Sequence, residues 1–178
     1  RHFMDRGHRE IGLINGSLSG YPSRARAYAY RDIMEEFGLP IRPELQMNER
    51  GSEEFGRRAI RELFSLDSPP TAIIVGNGNT GALAGVLGEI RDRQIRIGED
   101  LALAACEDGP LTSLHAPPIT TLRRDIVDFA KRATHLTLQL LDKKSDSSHE
   151  VLLPLTLNIR ESTDWDIGAG MAGAALSS

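Results

Sequence analysis

Apolar and polar positions along this chain switch repeatedly between a strand-like and a helix-like period. Arg9 to Asn15 (REIGLIN) is short, carries β-branched Ile11 and Ile14, and runs into Gly16-Ser17 and a polar loop, which predicts a strand. Tyr30, Ile33, Met34 and Phe37 then fall at i, i+3, i+4 and i+7, the stripe of an amphipathic helix. Ser23 is its expected N-cap and Gly38-Leu39-Pro40 its stop. Ile41 to Met47 reads as a weaker strand interrupted by Pro43. Ser52 is placed to cap a helix with Phe55, Ala59, Ile60, Leu63 and Phe64 on one face, ended by Ser68-Pro69-Pro70. Thr71 to Val75 is the clearest strand. Gly76-Asn77-Gly78 turns into a helix with Ala82, Leu83, Val86, Leu87 and Ile90 aligned, and Leu101 to Cys106 is a fourth strand.

Four strands separated by helices predict an α/β fold with an open parallel sheet flanked by helices, because parallel strands need long crossovers and right-handed ones place helices on both faces. Ligands in such sheets bind at the carboxyl ends of the strands. That rule selects Asn15 to Arg26, Met47 to Ser52, Gly76 to Asn79, and Glu107-Asp108. Beyond the fourth strand, Pro117 to Thr121 is expected to be extended. Asp125 to Leu141 is a helix with Ile126, Phe129, Ala133, Leu136 and Leu140 in line, and Val151 to Ile159 is an edge strand containing Pro154. Residues 1–163 are expected to form the folded part, and residues 164–178, rich in Gly, Ala and Ser, a flexible tail.

Composition narrows the function more than the fold. With 178 residues, 40% hydrophobic and 26% charged, the chain has the balance of an ordinary globular domain. A net charge of −4, with basic residues scattered among acids, argues against a surface that grips nucleic acid unaided. The longest apolar runs fall far short of the ~20 residues of a membrane span, and no signal-peptide core follows Arg1. The one cysteine, Cys106, has no intrachain partner and is expected to be a small buried residue, and the five histidines form no metal-binding pattern.

Four features carry candidate chemistry. Arg26 falls in the first turn of its helix if Ser23 is the cap; a cation there opposes the helix dipole, which suggests a ligand-gripping role. Gly76-Asn77-Gly78-Asn79-Thr80-Gly81 matches GxGxxG between a strand and a helix. It follows the third strand instead of the first, and the next strand's acid lies 26 residues past Gly81, where the dinucleotide fingerprint places one about 20 residues on. A tight turn with Asn77 as a polar contact is the better reading. Glu107-Asp108 ends an apolar strand in the crevice and can accept hydrogen bonds from hydroxyls or a base edge. Tyr21 is the loop aromatic placed to stack on a ligand. No nucleophile–base spacing and no metal signature appear, so neither catalytic residues nor a cofactor are expected.

Six segments, in order, resemble the periplasmic-binding-protein-like effector domain of LacI/GalR-family transcriptional repressors, in its C-terminal part. They are Gly7-His8-Arg9-Glu10-Ile11-Gly12-Leu13-Ile14, Arg26-Ala27-Tyr28-Ala29-Tyr30, Pro70 to Asn77, Ala104 to Asp108, Pro117 to Leu122 and Arg160-Glu161-Ser162-Thr163. The resemblance implies that Arg26 grips an effector, that Asn77 and Glu107 are polar contacts, and that Arg124 reaches the cleft from the crossing segment. It departs from the family pattern at Gly78 and Glu107, each in place of Asp, and at Ala29, in place of Gly. Where relatives often carry an aromatic contact, this chain has Gly51, so no sugar or purine specificity transfers.

The likeness implies a non-catalytic sensor of a sugar or related metabolite in the cytoplasm. Operator DNA would be bound only through an N-terminal helix-turn-helix that this chain does not contain. Helix 125–141 would normally pack on a partner subdomain; here its apolar stripe is expected to be buried in a homodimer. A periplasmic sugar-binding protein and an NAD-binding oxidoreductase fragment are the alternatives.

Overall fold

The structure, a computed structural model, describes residues 1–76, 80–141 and 151–164. Its six strands are β1 (Ile11–Asn15), β2 (Gln46–Asn48), β3 (Ala72–Val75), β4 (Ala102–Ala105), β5 (Thr120–Arg124) and β6 (Leu155–Asn158). They form one sheet in the order β2-β1-β3-β4-β5-β6. The first five are parallel, as the helical crossovers require, and β6 closes the edge antiparallel to β5. The helices are α1 (His2–Asp5), α2 (Tyr21–Glu36), α3 (Glu53–Leu63), α4 (Thr80–Asp92), α5 (Pro110–Ser113) and α6 (Ile126–Leu141).

Strand alternation divides the core into two layers. Ile14, Ile73, Val75, Leu103 and Ala105 point to the α3–α4 face, where Phe55, Ala59, Ile60, Leu63, Ala82 and Val86 are buried. Ile11, Leu13, Ala72 and Ala102 point the other way, onto Phe3 and Met4 of α1 and Tyr30 and Met34 of α2. Tyr30 also donates its hydroxyl to the Ile11 carbonyl at 2.8 Å, and burial pushes its pKa up to about 12. Outside the α3–α4 layer, Glu89 takes Arg61 and Arg93 at 3.0 and 3.1 Å and is held below the usual carboxylate range, first by the Arg93 hydrogen bond.

Two helix ends behave as the sequence predicts. Ser52 Oγ accepts the Phe55 amide at 3.0 Å and caps α3. Gly38, at φ +66°, ends α2 in a left-handed turn whose following amide, that of Leu39, reaches the Met34 carbonyl. Three expectations are corrected. The N-cap of α2 is Gly20, not Ser23; Pro22 in the first turn pre-sets the helical φ, and Ser23 is buried inside the helix. The weaker strand is only Gln46–Asn48, because Pro43 opens a 3-10 turn over Pro43–Leu45. The edge strand is Leu155–Asn158, so Pro154 lies just outside its ladder. Residues 165–178 of the expected tail lie outside the described residues.

The segment after β6 is pinned by side chains. Ser162 Oγ donates to the Leu103 carbonyl at 2.7 Å and accepts the Thr120 amide at 2.8 Å. Thr120 Oγ1 donates to the Arg160 carbonyl and meets Thr163 Oγ1 at 2.7 Å. Thr163 in turn meets His2 Nε2 at 2.8 Å, and Arg6 lies 3.1 Å from His2 Nδ1. A guanidinium only donates, so Nδ1 accepts and the proton of the neutral ring sits on Nε2, donated to Thr163.

Burial and, next, Arg6 hold the His2 pKa below its ordinary 6.5. The unfolded chain therefore binds a proton before the folded chain does as pH falls. The stability present above pH 6.5 should be lost as pH drops from 6.5 toward the lower folded value. Melting temperature measured against pH should show this decline, and His2→Gln should flatten it; an equal decline in both proteins would refute the assignment.

Helix α6 buries none of its side chains. Ile126, Val127, Phe129, Leu138, Leu140 and Leu141 are all at least half exposed. The stripe expected from the sequence is thus present, and no described residue of this chain covers it.

Candidate functional site

The positions that face α2 run in steps of two along each strand, and their last members meet at one end of the sheet. They are Asn15 on β1, Gly76 just past β3, Cys106 just past β4 and Arg124 on β5. Asn48 is the register partner of Asn15 on β2. Arg26, on the second turn of α2, leans over this row. One terminal nitrogen donates to Asn15 Oδ1 at 3.1 Å, and the stem crosses Gly76, where a Cβ would lie 2.9 Å from Arg26 Cδ. Arg26 therefore sits beyond the first helical turn, because the helix starts at Tyr21, and the dipole argument for it loses weight. Its place in the crevice stands on these contacts.

Asn15 is fully buried and uses both ends of its amide. The oxygen receives Arg26, and the nitrogen donates to the Ser23 carbonyl at 2.9 Å and to Asn48 Oδ1 at 3.2 Å. Among the described residues Arg26 has no carboxylate partner, so its fork retains donors for a ligand. Cys106 lies beside it. Burial pushes the thiol pKa up, and the Arg26 guanidinium acts in the opposite direction. Below these residues an apolar groove of about 240 Å³ continues down the sheet face, lined in part by Leu13, Tyr30, Ile33, Ile74 and Leu122.

Glu107 and Arg124 are half exposed and 4.0 Å apart at the crevice rim, a loose pair that a ligand can enter. Asp108 is committed elsewhere. Arg160 holds it at 2.8 Å, and that contact, with help from Thr112, keeps its carboxyl below the usual range. Tyr21 is two-thirds exposed at the first position of α2. Asn77 lies outside the described residues. The structure thus brings Arg26, Glu107 and Arg124 to one end of the sheet and leaves Tyr21 at its margin. Sequence reading placed Asn15, Asn48 and Gly76 within the crevice segments without singling them out, and treated Cys106 as packing alone. Counting in twos along the strands would have put Asn15, Gly76 and Cys106 on one face.

Among the described residues no group of three or more His, Cys, Asp or Glu is placed to hold a metal, and no helix is long and apolar enough to cross a membrane. A parallel sheet with a polar crevice at its carboxyl edge and helices on both faces defines an open α/β class, the fold in which ligands generally bind at that edge. The periplasmic binding protein-like domain family matches residues 1–163, and the chain belongs to that family, in the form found in LacI/GalR regulators.

The chain is 26% identical over 162 residues to the HTH-type transcriptional repressor PurR of Pasteurella multocida, covering 91% of this chain and 48% of that protein. It is 27% identical over 161 residues to catabolite control protein A of Priestia megaterium, covering 90% and 48%. A LacI family transcriptional regulator from Bifidobacterium animalis superposes with a TM-score of 0.81 at 30% identity, over 93% of this chain and 59% of the other. A putative LacI regulator from Bacillus cereus reaches a TM-score of 0.83 at 21% identity, over 90% and 56%. The chain spans about half the length of the curated relatives it matches.

Proposed function

We propose that this chain is the small-molecule-sensing, non-catalytic part of a cytoplasmic transcription repressor. The observation that carries the reading is Arg26, held on a neutral amide over the carboxyl edge of the sheet with donors to spare. A hydroxyl-rich or otherwise polar metabolite fits that fork, with Glu107, Arg124 and Asn77 as further contacts and Tyr21 at the margin. Such a ligand would favour one arrangement of the protein and so change its affinity for operator DNA, bound through a helix-turn-helix outside this chain. The name of the PurR relative supports a role in repression, that of catabolite control protein A a role in control, and both leave the effector open.

The test is a thermal-shift screen of this chain against sugars, sugar phosphates and purines, followed by calorimetry. One compound class should bind, and Arg26→Gln should weaken it about thirtyfold, the loss expected for a hydrogen bond from a charged group. Binding of the same strength in Arg26→Gln would sink the assignment. We also propose a homodimer that buries the apolar stripe of α6, since a face of that size is unfavourable in water. Light scattering should return twice the chain mass at micromolar concentration; a monomer would refute it.

A further inference from the structure

We infer that Asn15, with Gly76, is the positioning pair that aims Arg26 at the ligand, an assignment that rests on the sensing role proposed for the crevice. Asn15 is fully buried at the end of β1, and both halves of its amide are spent, tying β1 to α2 and β2. Its nitrogen is anchored to the Ser23 carbonyl of α2 and to Asn48 of β2, which fixes the flip of the side chain: the oxygen must face the other way, toward Arg26. Aspartate at this position would lose both donations and bury a charge. Gly76 supplies the second constraint. A Cβ there would lie 2.9 Å from Arg26 Cδ and 3.1 Å from Asn15 Oδ1, so only glycine lets the arginine stem lie flat across the end of β3. One residue holds the head of Arg26 and the other clears a path for its stem. Neither needs to touch the ligand.

Cys106 offers a reporter that requires no ligand. Its thiol lies against Arg26, and the guanidinium favours the thiolate. The pH midpoint of Cys106 alkylation by iodoacetamide therefore reads where Arg26 points. On the 178-residue chain, Arg26→Gln should move that midpoint upward. Asn15→Ala, which removes the anchor, and Gly76→Ala, which displaces the stem, should each move it in the same direction while Arg26 is intact. An unfolded variant gives the opposite shift, toward the ordinary thiol value, because burial is lost. Gly76→Ala leaves the Ser23 carbonyl and Asn48 in place as acceptors for the Asn15 amide and so guards against a folding artefact.

A midpoint unchanged in both Asn15→Ala and Gly76→Ala overturns the positioning role, whatever Arg26→Gln does. With a ligand from the screen in hand, both variants should weaken it about threefold to tenfold, less than Arg26→Gln. A screen without any ligand would count against the sensing role and leave the alkylation result standing.

Discussion

Alanine at Gly56 should destabilise the folded chain by about 3 kcal/mol, at the upper end of overpacking effects. Helices α3 and α4 cross with their backbones in direct contact. A Cβ on Gly56 would overlap the carbonyl oxygen of Ala82, and one on Gly85 would overlap that of Glu53. The obstruction is backbone on both sides, so no rotamer change relieves it; the helices must separate. Separation opens the layer formed by Phe55, Ala59, Ile60, Ala82 and Val86, all buried against the sheet. For a chain of this length the expected drop in melting temperature is about 10 °C. Gly85→Ala should behave alike, and the double variant should fall short of the sum, because the helices need to move apart only once. Urea unfolding of the three variants measures this. A loss below about 1 kcal/mol for Gly56→Ala would mean the helices slide past the added carbon without losing their packing.

Ser162→Ala should cost about 2 to 3 kcal/mol, a large effect for removing a single oxygen. Strands β4 and β5 are paired only at Ala104↔Thr120 and Ala105↔Thr121. Just below that ladder, the Leu103 carbonyl and the Thr120 amide both bond to Ser162 Oγ. The hydroxyl acts as a splice that completes the sheet where the two strands part. Without it, a donor and an acceptor are left unsatisfied at positions with no solvent access. Amide exchange at Thr120 should accelerate together with the loss of global stability. If Ser162→Ala unfolds within 0.5 kcal/mol of the parent, about the size of an ordinary surface substitution, the splice is not needed.

Much of the fold was legible because the buried strands are apolar runs and the helices are long enough to show their period. β1, β3 and β4, with α2, α3, α4 and α6, all lie where the pattern placed them. The failures have physical reasons. α1 and α5 have four residues each, too short for any period to show. Ser23 looked like a cap by residue type, but with Pro22 in its first turn the helix begins three residues earlier, and an N-cap depends on which residue is still extended. Within the site, Arg26 was singled out first from a first-turn position that the Gly20 cap does not give it, and then from its likeness to a known pattern. Asn15 was placed at the head of a crevice segment but not singled out, because a polar residue at the end of an apolar run reads as a boundary. Its importance depends on Ser23, Arg26 and Asn48, which come together only in the folded chain. Asp108 looked free for a ligand until Arg160, fifty-two residues away, proved to hold it.

The brevity of the β4–β5 ladder has a mechanical consequence. Past Thr121, β5 is paired only to β6, and the two continue as a ribbon through Arg124↔Leu155 toward α6. A two-stranded ribbon bends far more easily than a six-stranded sheet. Glu107 is attached to the sheet and Arg124 to the ribbon, so their 4.0 Å pairing spans the seam between a stiff body and a compliant arm. Any load on α6 acts along that arm as a lever, and the first gap it changes is one at the mouth of the crevice.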